Sequence, residues 1–357
     1  MSEVWILGAT GRSGRAVAAQ LVTAGLSPVL VGRDATRLRK AAAATAKDLR
    51  IVVAGSVDAM VSELSRNKPA VVVNTIGPFT DTALPIARAC APGTHYVDLS
   101  NELFSIIGLL GLHDEAIASG RTLVTGAGFG VLATESVVLK LCEGQPPAAR
   151  VRVDAIPAVE SEPGPLGEAL AATIIDGLAG GGRQYANGQL IRSKVLSNFE
   201  TLTLPDGSSV NTASGGTGEL EAARGASGAS FAISASSLVP SSPVLRGLLP
   251  PALTLLKITA LRNLVKRRVA AIELKPKAPG AVKAREFSWG HARIEWASGA
   301  RREGWLRTGD AMVFTTNVVA EVVMRLARGE GQLGSYTPGA LFGPGLATDA
   351  GGRFFLD

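Results

Sequence analysis

Three glycines early in the sequence have a spacing that suits phosphate binding. Gly8, Gly11 and Gly14 follow a short apolar run and precede a helical pattern. Glycine leaves backbone N–H groups accessible to a ligand, and a helix N-terminus adds partial positive charge. The turn therefore predicts a site for the pyrophosphate of a dinucleotide, formed by Gly8, Thr10, Gly11, Arg12, Ser13 and Gly14. The alternative is that Gly11 and Gly14 only shape a tight turn, because G-x-x-G-x-x-G is one residue looser than the dinucleotide fingerprint.

A second group of residues indicates which dinucleotide binds. About 20 residues beyond the glycines, where NAD sites carry an acidic residue, the sequence has Arg33. A guanidinium there can stack on adenine and pair with a 2′-phosphate, which Arg12 and Arg37 can also approach. Asp34 could take the acidic role itself, although it is also suited to cap a helix that starts at Ala35. We predict NADP(H) rather than NAD(H), with Arg33, Asp34 and Arg37 at its site.

The elements that position these residues alternate between short apolar strands and helices over residues 1–130. The candidate strands are VWILGA, PVLVGR, RIVVAG, AVVVNTIG, THYVDL and TLVTGAG. Each intervening segment is long enough for a crossover helix, so the strands should be parallel. Near-continuous apolar runs fit a sheet that is covered on both faces. The sequence thus predicts an α/β fold with a Rossmann-type doubly wound parallel sheet.

The pattern changes after about residue 150. The chain then contains ARVRVDAIPAV, which alternates like a strand with one solvated face, and REFSWGHARIEWASGARREGWLRTG, which is typical of two or three antiparallel strands. The later run AMVFTTNVVAEVVMRLARG predicts an amphipathic helix that stops at Gly329. We therefore expect an α+β domain for substrate binding or dimerisation over residues 131–330. Residues 331–357 are expected to pack back on the first domain.

Composition and charge disfavour several classes of protein. Of 357 residues, 46% are hydrophobic and 18% are charged, which is typical of a soluble globular enzyme. The net charge of +6 comes without a basic stripe interleaved with aromatic residues, so nucleic-acid binding is not expected. Cys90 and Cys142 lie in apolar helical patterns and indicate reduced thiols of a cytoplasmic protein. The three histidines lack metal-ligand spacing, so no metal is expected, and secretion is disfavoured because no charged leader precedes the first strand.

Several motifs resemble those of a known family. The chain contains, in order, GATGRSGR, VGRD, NTIGPF, GTHYVDLSNE, GAGFG and GSYTPGALFGPGL. In this order they are similar to motifs of the saccharopine dehydrogenase-like oxidoreductases, which include trans-acting enoyl reductases. The resemblance implies an NADP-binding Rossmann domain, an α+β domain that completes the active site, and often a homodimer. It also implies cofactor contacts from Asn74, Gly77, Pro78, Phe79, Gly126, Gly128 and Phe129.

The residue pattern agrees with this placement. In an open parallel sheet, ligands collect beyond the carboxyl ends of the strands, and NTIGPF, DLSNE and GAGFG are three such ends. Asn74 and Thr75 are therefore candidate cofactor ligands, with a local turn hydrogen bond as the alternative. For Pro78 and Phe79 the alternative is packing within the loop.

The candidates for acid–base chemistry are few. Hydride transfer leaves negative charge on the acceptor, which then needs a proton source. The candidates are Tyr96, His95 and Asp98 on the fifth strand and Tyr185 in the second domain. Because strand residues alternate, His95 and Tyr96 cannot face the same side. His95 is also suited to a structural role, and Asp98 to tethering a helix N-terminus.

A basic amphipathic helix is predicted over residues 251–268. Its apolar face contains Leu253, Leu256, Ala260, Leu261, Leu264 and Val265, and its polar face contains Thr259, Arg262, Asn263 and Lys266. Prolines and charges make it unsuited to span a bilayer. It could place the protein at the periphery of an anionic membrane, contact an acyl carrier or cover an apolar substrate. The alternative is a helix of the core or of a dimer interface.

Three functions follow from these predictions. The first is NADPH-dependent reduction of a C=C bond in an apolar acyl or polyketide-type substrate. The second is reduction of a C=N bond in an imine derived from an amino acid or a natural product. The third is a redox sensor that binds NADP(H) without turnover, because no acid–base signature is evident in the sequence.

Overall fold

The computed structural model describes residues 3–46, 48–159, 164–165, 181–194, 196–238, 259–274 and 285–356. The chain divides into two compact units. The first unit comprises Met1–Ser100, Phe104–Leu132 and Met312–Gly351. The second comprises Asn101–Leu103, Ala133–Ala311 and Gly352–Asp357.

A seven-stranded parallel sheet forms the centre of the first unit. Its strands are β1 (Val4–Leu7), β2 (Val29–Gly32), β3 (Ile51–Val53), β4 (Val71–Asn74), β5 (His95–Asp98), β6 (Thr122–Val124) and β17 (Gly334–Tyr336). They lie in the order β17-β6-β5-β4-β1-β2-β3, and every neighbouring pair is parallel. Strands β2 and β3 lie on one side of β1, and the other four strands lie on its opposite side. Because parallel strands are connected by right-handed crossovers, this reversal of direction puts helices on both faces of the sheet. This confirms the predicted Rossmann-type doubly wound sheet.

The helices of this unit begin where the sequence has capping residues. Asp34 accepts hydrogen bonds from the backbone N–H groups of Thr36 and Arg37, and Ser56 accepts one from Ala59. The described helices are α1 (Arg12–Thr23), α2 (Ala35–Thr45), α3 (Val57–Asn67), α4 (Phe79–Ala89), α5 (Leu103–Leu110) and α6 (His113–Ala118). Helix α7 (Phe129–Cys142) begins in this unit, and its residues from Ala133 onward belong to the second. The core against the sheet includes Trp5, Leu7, Val72 and Leu123, which are fully buried.

The second unit contains a nine-stranded mixed sheet. Its strands are β7 (Arg150–Ile156), β9 (Gly182–Ala186), β10 (Gln189–Ser193), β11 (Glu200–Thr203), β12 (Ser209–Ser214), β13 (Phe231–Ser236), β15 (Ser288–Glu295), β16 (Arg301–Thr308) and β18 (Arg353–Leu356). Only β7 and β13 pair in parallel; the other pairs among these described strands are antiparallel. A short pair, β8 (Gly164–Pro165) and β14 (Glu273–Leu274), lies apart from this sheet. Besides most of α7, the described helices of this unit are α8 (Glu219–Ser227) and α9 (Thr259–Ala270).

The C-terminal part of the chain contributes to both units. Helix α10 (Ala311–Ala327) is followed by α11 (Pro338–Phe342) and α12 (Gly345–Asp349). Helix α10 ends close to Gly329, as predicted. Residues 312–330, which we expected in the second domain, belong to the first unit, whereas 352–357 belong to the second. Strand pairing accounts for the second difference, because β18 pairs with β16 in the nine-stranded sheet. Helix α10 instead packs in the first unit, where Thr315 accepts from the N–H of Phe129 and Phe314 meets the Phe129 ring.

The basic helix also differs from its prediction. Residues 251–258 lie outside the described part of the chain, and the described helix starts at Thr259. Leu264, assigned to the apolar face, is exposed, whereas Arg262 and Lys266, assigned to the polar face, are half-buried. No helix within the described ranges has the length and apolar character needed to cross a bilayer.

Candidate functional site

The candidate site lies at the carboxyl edge of the seven-stranded sheet. Because all seven strands are parallel, the loops that follow β1, β2, β4, β5 and β6 emerge at this one edge. They carry most of the residues that the sequence predicted for cofactor binding. The loops differ in whether their polar groups are hydrogen-bonded within the protein or exposed.

The glycine turn after β1 has a conformation and packing that exclude larger side chains. Gly8 has φ +81°, a region that L side chains rarely adopt. A Cβ atom at Gly8 would lie 2.7 Å from Oγ1 of Thr75. A Cβ atom at Gly14 would lie 2.5 Å from the carbonyl oxygen of Gly8 and 2.8 Å from Cα of Ala9. These glycines therefore allow helix α1 to approach the strand closely, which keeps its N-terminus beside the turn.

The N-terminus of α1 is electropositive. Its N-cap residue is Gly11, which has no side chain to satisfy the first N–H groups. Arg12 and Arg15 lie in the first turn, where acidic residues would normally balance the helix dipole. Arg15 donates a hydrogen bond to the carbonyl oxygen of Thr10 at 2.6 Å and thereby holds the turn. The glycine cradle and its charge fit the pyrophosphate of a dinucleotide.

Two charged residues at the end of β2, Arg33 and Asp34, have different roles. Arg33 follows Gly32 directly, and its side chain is exposed, as is that of Arg37. Oδ1 of Asp34 accepts from the N–H of Thr36 at 2.8 Å and of Arg37 at 3.0 Å. Asp34 is therefore the N-cap of α2, the role that the sequence favoured over that of an acidic ribose ligand. The exposed Arg33 and the helix-capping Asp34 are thus adjacent charged residues at this end of β2.

A buried hydrogen-bond network joins β4 and β5. Nδ2 of Asn74 donates to the hydroxyl of Tyr96 at 3.1 Å, and that hydroxyl donates to Oδ2 of Asp98 at 3.0 Å. Oδ1 of Asp98 also accepts from the N–H groups of Ser100 and Gly126. Asn74, Tyr96 and Asp98 are each 0% exposed. The network holds the loops after β4, β5 and β6 in register with one another.

The loop after β4 is held by hydroxyl groups. Thr75 donates to the carbonyl oxygen of Leu7 at 2.8 Å, and Thr82 donates to that of Ile76 at 2.6 Å. The Gly77–Pro78 peptide bond is cis, and Pro78 is the N-cap residue of α4. Phe79 is buried in the core of this unit. Phe79 was predicted to contact the cofactor, but its burial fits the alternative, in which it packs within the protein. Gly77 and Pro78 are half-buried at the edge.

The loop after β6 leads into helix α7. Gly126 has φ +77°, and its N–H donates to Asp98 at 3.0 Å. Gly128 follows, and the N–H of Phe129 donates to Oγ1 of Thr315 at 3.0 Å. The Phe129 ring is buried and meets Phe314 edge to face. Glycine backbone at positions 126 and 128 thus lines this part of the edge, whereas the Phe129 ring is turned into the core.

The structure corrects the roles predicted for Tyr96, Asp98 and Asn74. Burial and the neighbouring Asp98 carboxylate raise the pKa of Tyr96 well above its ordinary value. Burial likewise raises the pKa of Asp98, against the hydrogen bonds that it accepts. All three side chains are enclosed and hydrogen-bonded, and this arrangement favours loop positioning over proton donation by Tyr96 and Asp98. Oδ1 of Asn74 also accepts from the N–H of Ile76 at 3.0 Å, which is the local turn bond that the sequence offered as the alternative to a cofactor contact.

His95 and Tyr185 also have structural partners. His95 is the first residue of β5, at the opposite end from the carboxyl edge, and its Nδ1 accepts from the N–H of Thr122 at 3.0 Å. Burial lowers the pKa of His95, so its neutral form is favoured. In the second unit, the hydroxyl of Tyr185 donates to Glu221, and burial together with that contact raises the pKa of Tyr185 to about 12. Neither residue is therefore suited to the predicted proton transfer.

Some site residues were missed by the sequence analysis. Thr125 donates to Asp98 at 2.9 Å, and Thr82 holds the cis-proline loop. Thr125 had a signal in the sequence, because it lies at the carboxyl end of a predicted parallel strand and so belongs to the same edge as Asp98. The register, with Val97 opposite Val124, makes the two residues neighbours. Thr315 had none, because it lies 186 residues from its partner Phe129.

The cysteines and possible metal ligands add no further chemistry to this edge. Cys90 and Cys142 are free thiols, and burial raises their pKa to about 12 and about 11. Across the residues that the structure describes, no group of three or more His, Cys, Asp or Glu side chains could hold a metal ion.

Comparisons with known proteins agree with the resemblance that the motifs predicted. A trans-acting enoyl reductase from Mycobacterium leprae is 32% identical over 146 residues, which are 39% of this chain and 35% of the relative. One from Mycobacterium ulcerans is 33% identical over 134 residues, 36% of this chain and 32% of the relative. The match thus spans about a third of each relative's length. No protein-family model matches the chain.

The fold has a solved counterpart over its full length. Saccharopine dehydrogenase (L-Glu forming) from Saccharomyces cerevisiae superposes with a TM-score of 0.59 at 12% identity, covering 100% of both chains. At this identity the likeness describes the fold. Together, the sequence similarity and the fold confirm the predicted resemblance to the saccharopine dehydrogenase-like family.

Proposed function

We propose that this chain, a saccharopine dehydrogenase-like protein by sequence similarity and fold, is an oxidoreductase that uses NADP(H). Its proposed reaction is reduction of a C=C bond in an apolar acyl or polyketide-type substrate. The substrate class is supported by relatives named trans-acting enoyl reductases.

The observation that carries the cofactor proposal is the arrangement at the end of β2. Arg33 presents an exposed guanidinium, while the adjacent Asp34 carboxylate is engaged as the cap of α2. In NAD sites a carboxylate near this position binds the ribose hydroxyls. With Oδ1 of Asp34 engaged by the helix, we infer that the local charge favours a 2′-phosphate. Arg33 at the end of β2, Arg37 in α2 and Arg12 in α1 would hold it.

The other edge residues have binding and positioning roles in this proposal. The backbone of Gly8 to Gly14 and the N-terminus of α1 would bind the pyrophosphate. The glycine backbone at 126 and 128 and the loop at Gly77 and Pro78 would line the space for the nicotinamide. Asn74, Tyr96 and Asp98 keep these loops in place. When bound, NADPH supplies the hydride, and the chain supplies orientation and exclusion of water.

The cofactor preference is tested by calorimetric titration of NADPH and NADH into the wild-type protein and Arg33→Ala. Loss of a charge-assisted hydrogen bond, roughly 1.5–3 kcal/mol, should weaken NADPH binding by about 10- to 150-fold and leave NADH nearly unchanged. Arg301→Ala is the matched control, because it removes an exposed guanidinium from the second unit. Equal losses for both cofactors in Arg33→Ala would reject the assignment.

The reaction class is tested separately with NADPH oxidation as the readout. Enoyl thioesters of increasing chain length are expected to support turnover, with kcat/KM rising with apolar length. Turnover with cyclic imines but not with enoyl thioesters would replace the proposed substrate with the C=N alternative. NADPH binding without turnover on either class would leave the redox-sensor function.

A further inference from the structure

Helix α9 carries aliphatic and cationic side chains on one exposed face. Leu264 is 53% exposed, and Arg267 and Arg268 are exposed as well. These three residues are spaced i, i+3 and i+4, so they lie on the same side of the helix. Ile272 lies two residues beyond the end of the helix at Ala270 and is 51% exposed. We call Leu264, Arg267, Arg268 and Ile272 the basic-aliphatic face.

The charge along this segment is predominantly positive. Residues 259–273 contain Arg262, Lys266, Arg267 and Arg268 and one acidic residue, Glu273. Two of the cations, Arg267 and Arg268, lie in the last turn of α9, where the helix dipole favours positive charge. The face therefore has a positive potential and would attract an anionic surface.

The combination of exposed aliphatic and cationic side chains fits a lipid surface. In an interfacial helix, aliphatic side chains enter the boundary between headgroups and acyl chains, and Lys and Arg bind lipid phosphates. A surface that attracted only charge would not account for the exposure of Leu264 and Ile272. Within the described ranges no helix is able to cross a bilayer, so attachment through α9 would be peripheral.

We propose that the basic-aliphatic face of α9 binds the surface of an anionic lipid bilayer. Leu264 and Ile272 enter the acyl boundary, and Arg267 and Arg268 contact lipid phosphates. This inference concerns a different surface from the carboxyl edge of the seven-stranded sheet, and it stands whether or not the proposed reaction is correct.

The test is co-sedimentation of the full chain with vesicles. Vesicles of phosphatidylcholine alone are compared with vesicles that also contain phosphatidylglycerol, at about 20 mM and about 0.5 M salt. We expect binding only to the anionic vesicles, and weaker binding at high salt. Each cation near an anionic surface contributes roughly fivefold to the partition coefficient, so Arg267→Ala with Arg268→Ala should reduce it by about 25-fold.

Two further variants distinguish binding through the basic-aliphatic face from attraction by the net positive charge of the protein. Leu264→Ser should weaken binding to anionic vesicles without changing its salt dependence, because it removes an apolar contact only. The control is Arg301→Ala with Arg353→Ala, which removes two exposed arginines elsewhere in the second unit and should leave binding unchanged. Circular dichroism of each variant verifies its folding.

Three outcomes would overturn the proposal. One is no binding of the wild-type protein to anionic vesicles at low salt. Another is an equal loss in the Arg301/Arg353 control, which would indicate attraction by net charge. The third is that vesicle binding of the α9 variants is unchanged while another property changes. That property would be the oligomeric state in sedimentation velocity, or binding to a purified acidic acyl carrier protein. That result would assign the face to a protein partner.

Discussion

At the scale of single residues, polar groups at the carboxyl edge fall into two sets. Asn74, Tyr96 and Asp98 are fully buried and satisfy one another. Arg33 and Arg37 are exposed at the end of β2 and the start of α2. A buried and satisfied group shapes the site, whereas an exposed charged group can bind a ligand. This distinction depends on burial, which residue type alone does not reveal.

Tyr96→Phe tests the assignment of Tyr96 to positioning. The change leaves Nδ2 of Asn74 and Oδ2 of Asp98 without one partner each. The free energy of unfolding should fall by about 1–3 kcal/mol, while kcat with an enoyl thioester and its pH profile stay within about threefold of wild type. Urea denaturation and steady-state kinetics measure the two effects.

The matched control for this prediction is Tyr336→Phe. The Tyr336 hydroxyl donates to the carbonyl oxygen of Leu333 at the surface, so its removal should change stability by less than about 0.5 kcal/mol. A loss of kcat of more than about a hundredfold in Tyr96→Phe, with unchanged stability, would instead make Tyr96 the proton donor.

At the scale of elements, local signals predicted most strands and helices of the first unit. The apolar runs became the parallel strands, and Asp34 became the cap of α2, because these features depend on neighbours in sequence. The orientation of α9 did not follow from its pattern. Leu264 is exposed although the helical periodicity placed it on the apolar face, since periodicity defines the faces of a helix but not which face is covered.

Gly14→Ala tests the close packing of α1 on β1. The new methyl group would meet backbone atoms of Gly8 and Ala9, which cannot rotate away. We expect a loss of about 1–3 kcal/mol in the free energy of unfolding and weaker NADPH binding, because α1 must shift from the turn. Thermal unfolding and calorimetric titration are the measurements.

Gly225→Ala provides the comparison for a helical glycine in open space. An added Cβ there has no atom within 4 Å. Alanine in the interior of α8 should stabilise the protein by roughly 0.5–1 kcal/mol. If Gly14→Ala were equally stabilising, the close approach of α1 to the turn would be refuted.

At the scale of the whole molecule, each unit has its own sheet, and the second contains a buried charge cluster. His291 lies between Asp154, 2.9 Å from its Nδ1, and Glu303, 2.7 Å from its Nε2. Arg152 and Arg293 extend the cluster by bonding Asp154 and Glu200. Burial opposes protonation of His291, but the two carboxylates outweigh it and raise its pKa above the ordinary value.

The raised pKa of His291 predicts a stability that falls with pH. The folded state binds the imidazolium proton more tightly than the unfolded state, so this stabilisation is complete below about pH 6.5. It is lost as pH rises through the folded pKa of His291. Urea denaturation at a series of pH values above 6 should show this decline in the wild-type protein.

Glu303→Gln isolates the contribution of His291 from that of other buried groups. Removing one carboxylate lowers the folded-state pKa of His291, so the decline should still begin at about pH 6.5 but end at a lower pH. The total loss of stability should be smaller by about 1.4 kcal/mol for each unit of pKa lost. Glu295→Gln is the control, because Glu295 pairs with Arg301 at the surface. Identical pH profiles for wild type and Glu303→Gln would contradict the charged state of His291.

The sequence alone determined the parallel strands of the first sheet, the glycine turn, the cap at Asp34 and the resemblance to a family. Each depends on residues close in the chain or on motifs in linear order. Only the tertiary structure decided that Asn74, Tyr96 and Asp98 face inward together, that β17 joins the first sheet and that Thr315 meets Phe129. These depend on strand register and on contacts between distant segments, and local periodicity carries no information about which distant segments meet.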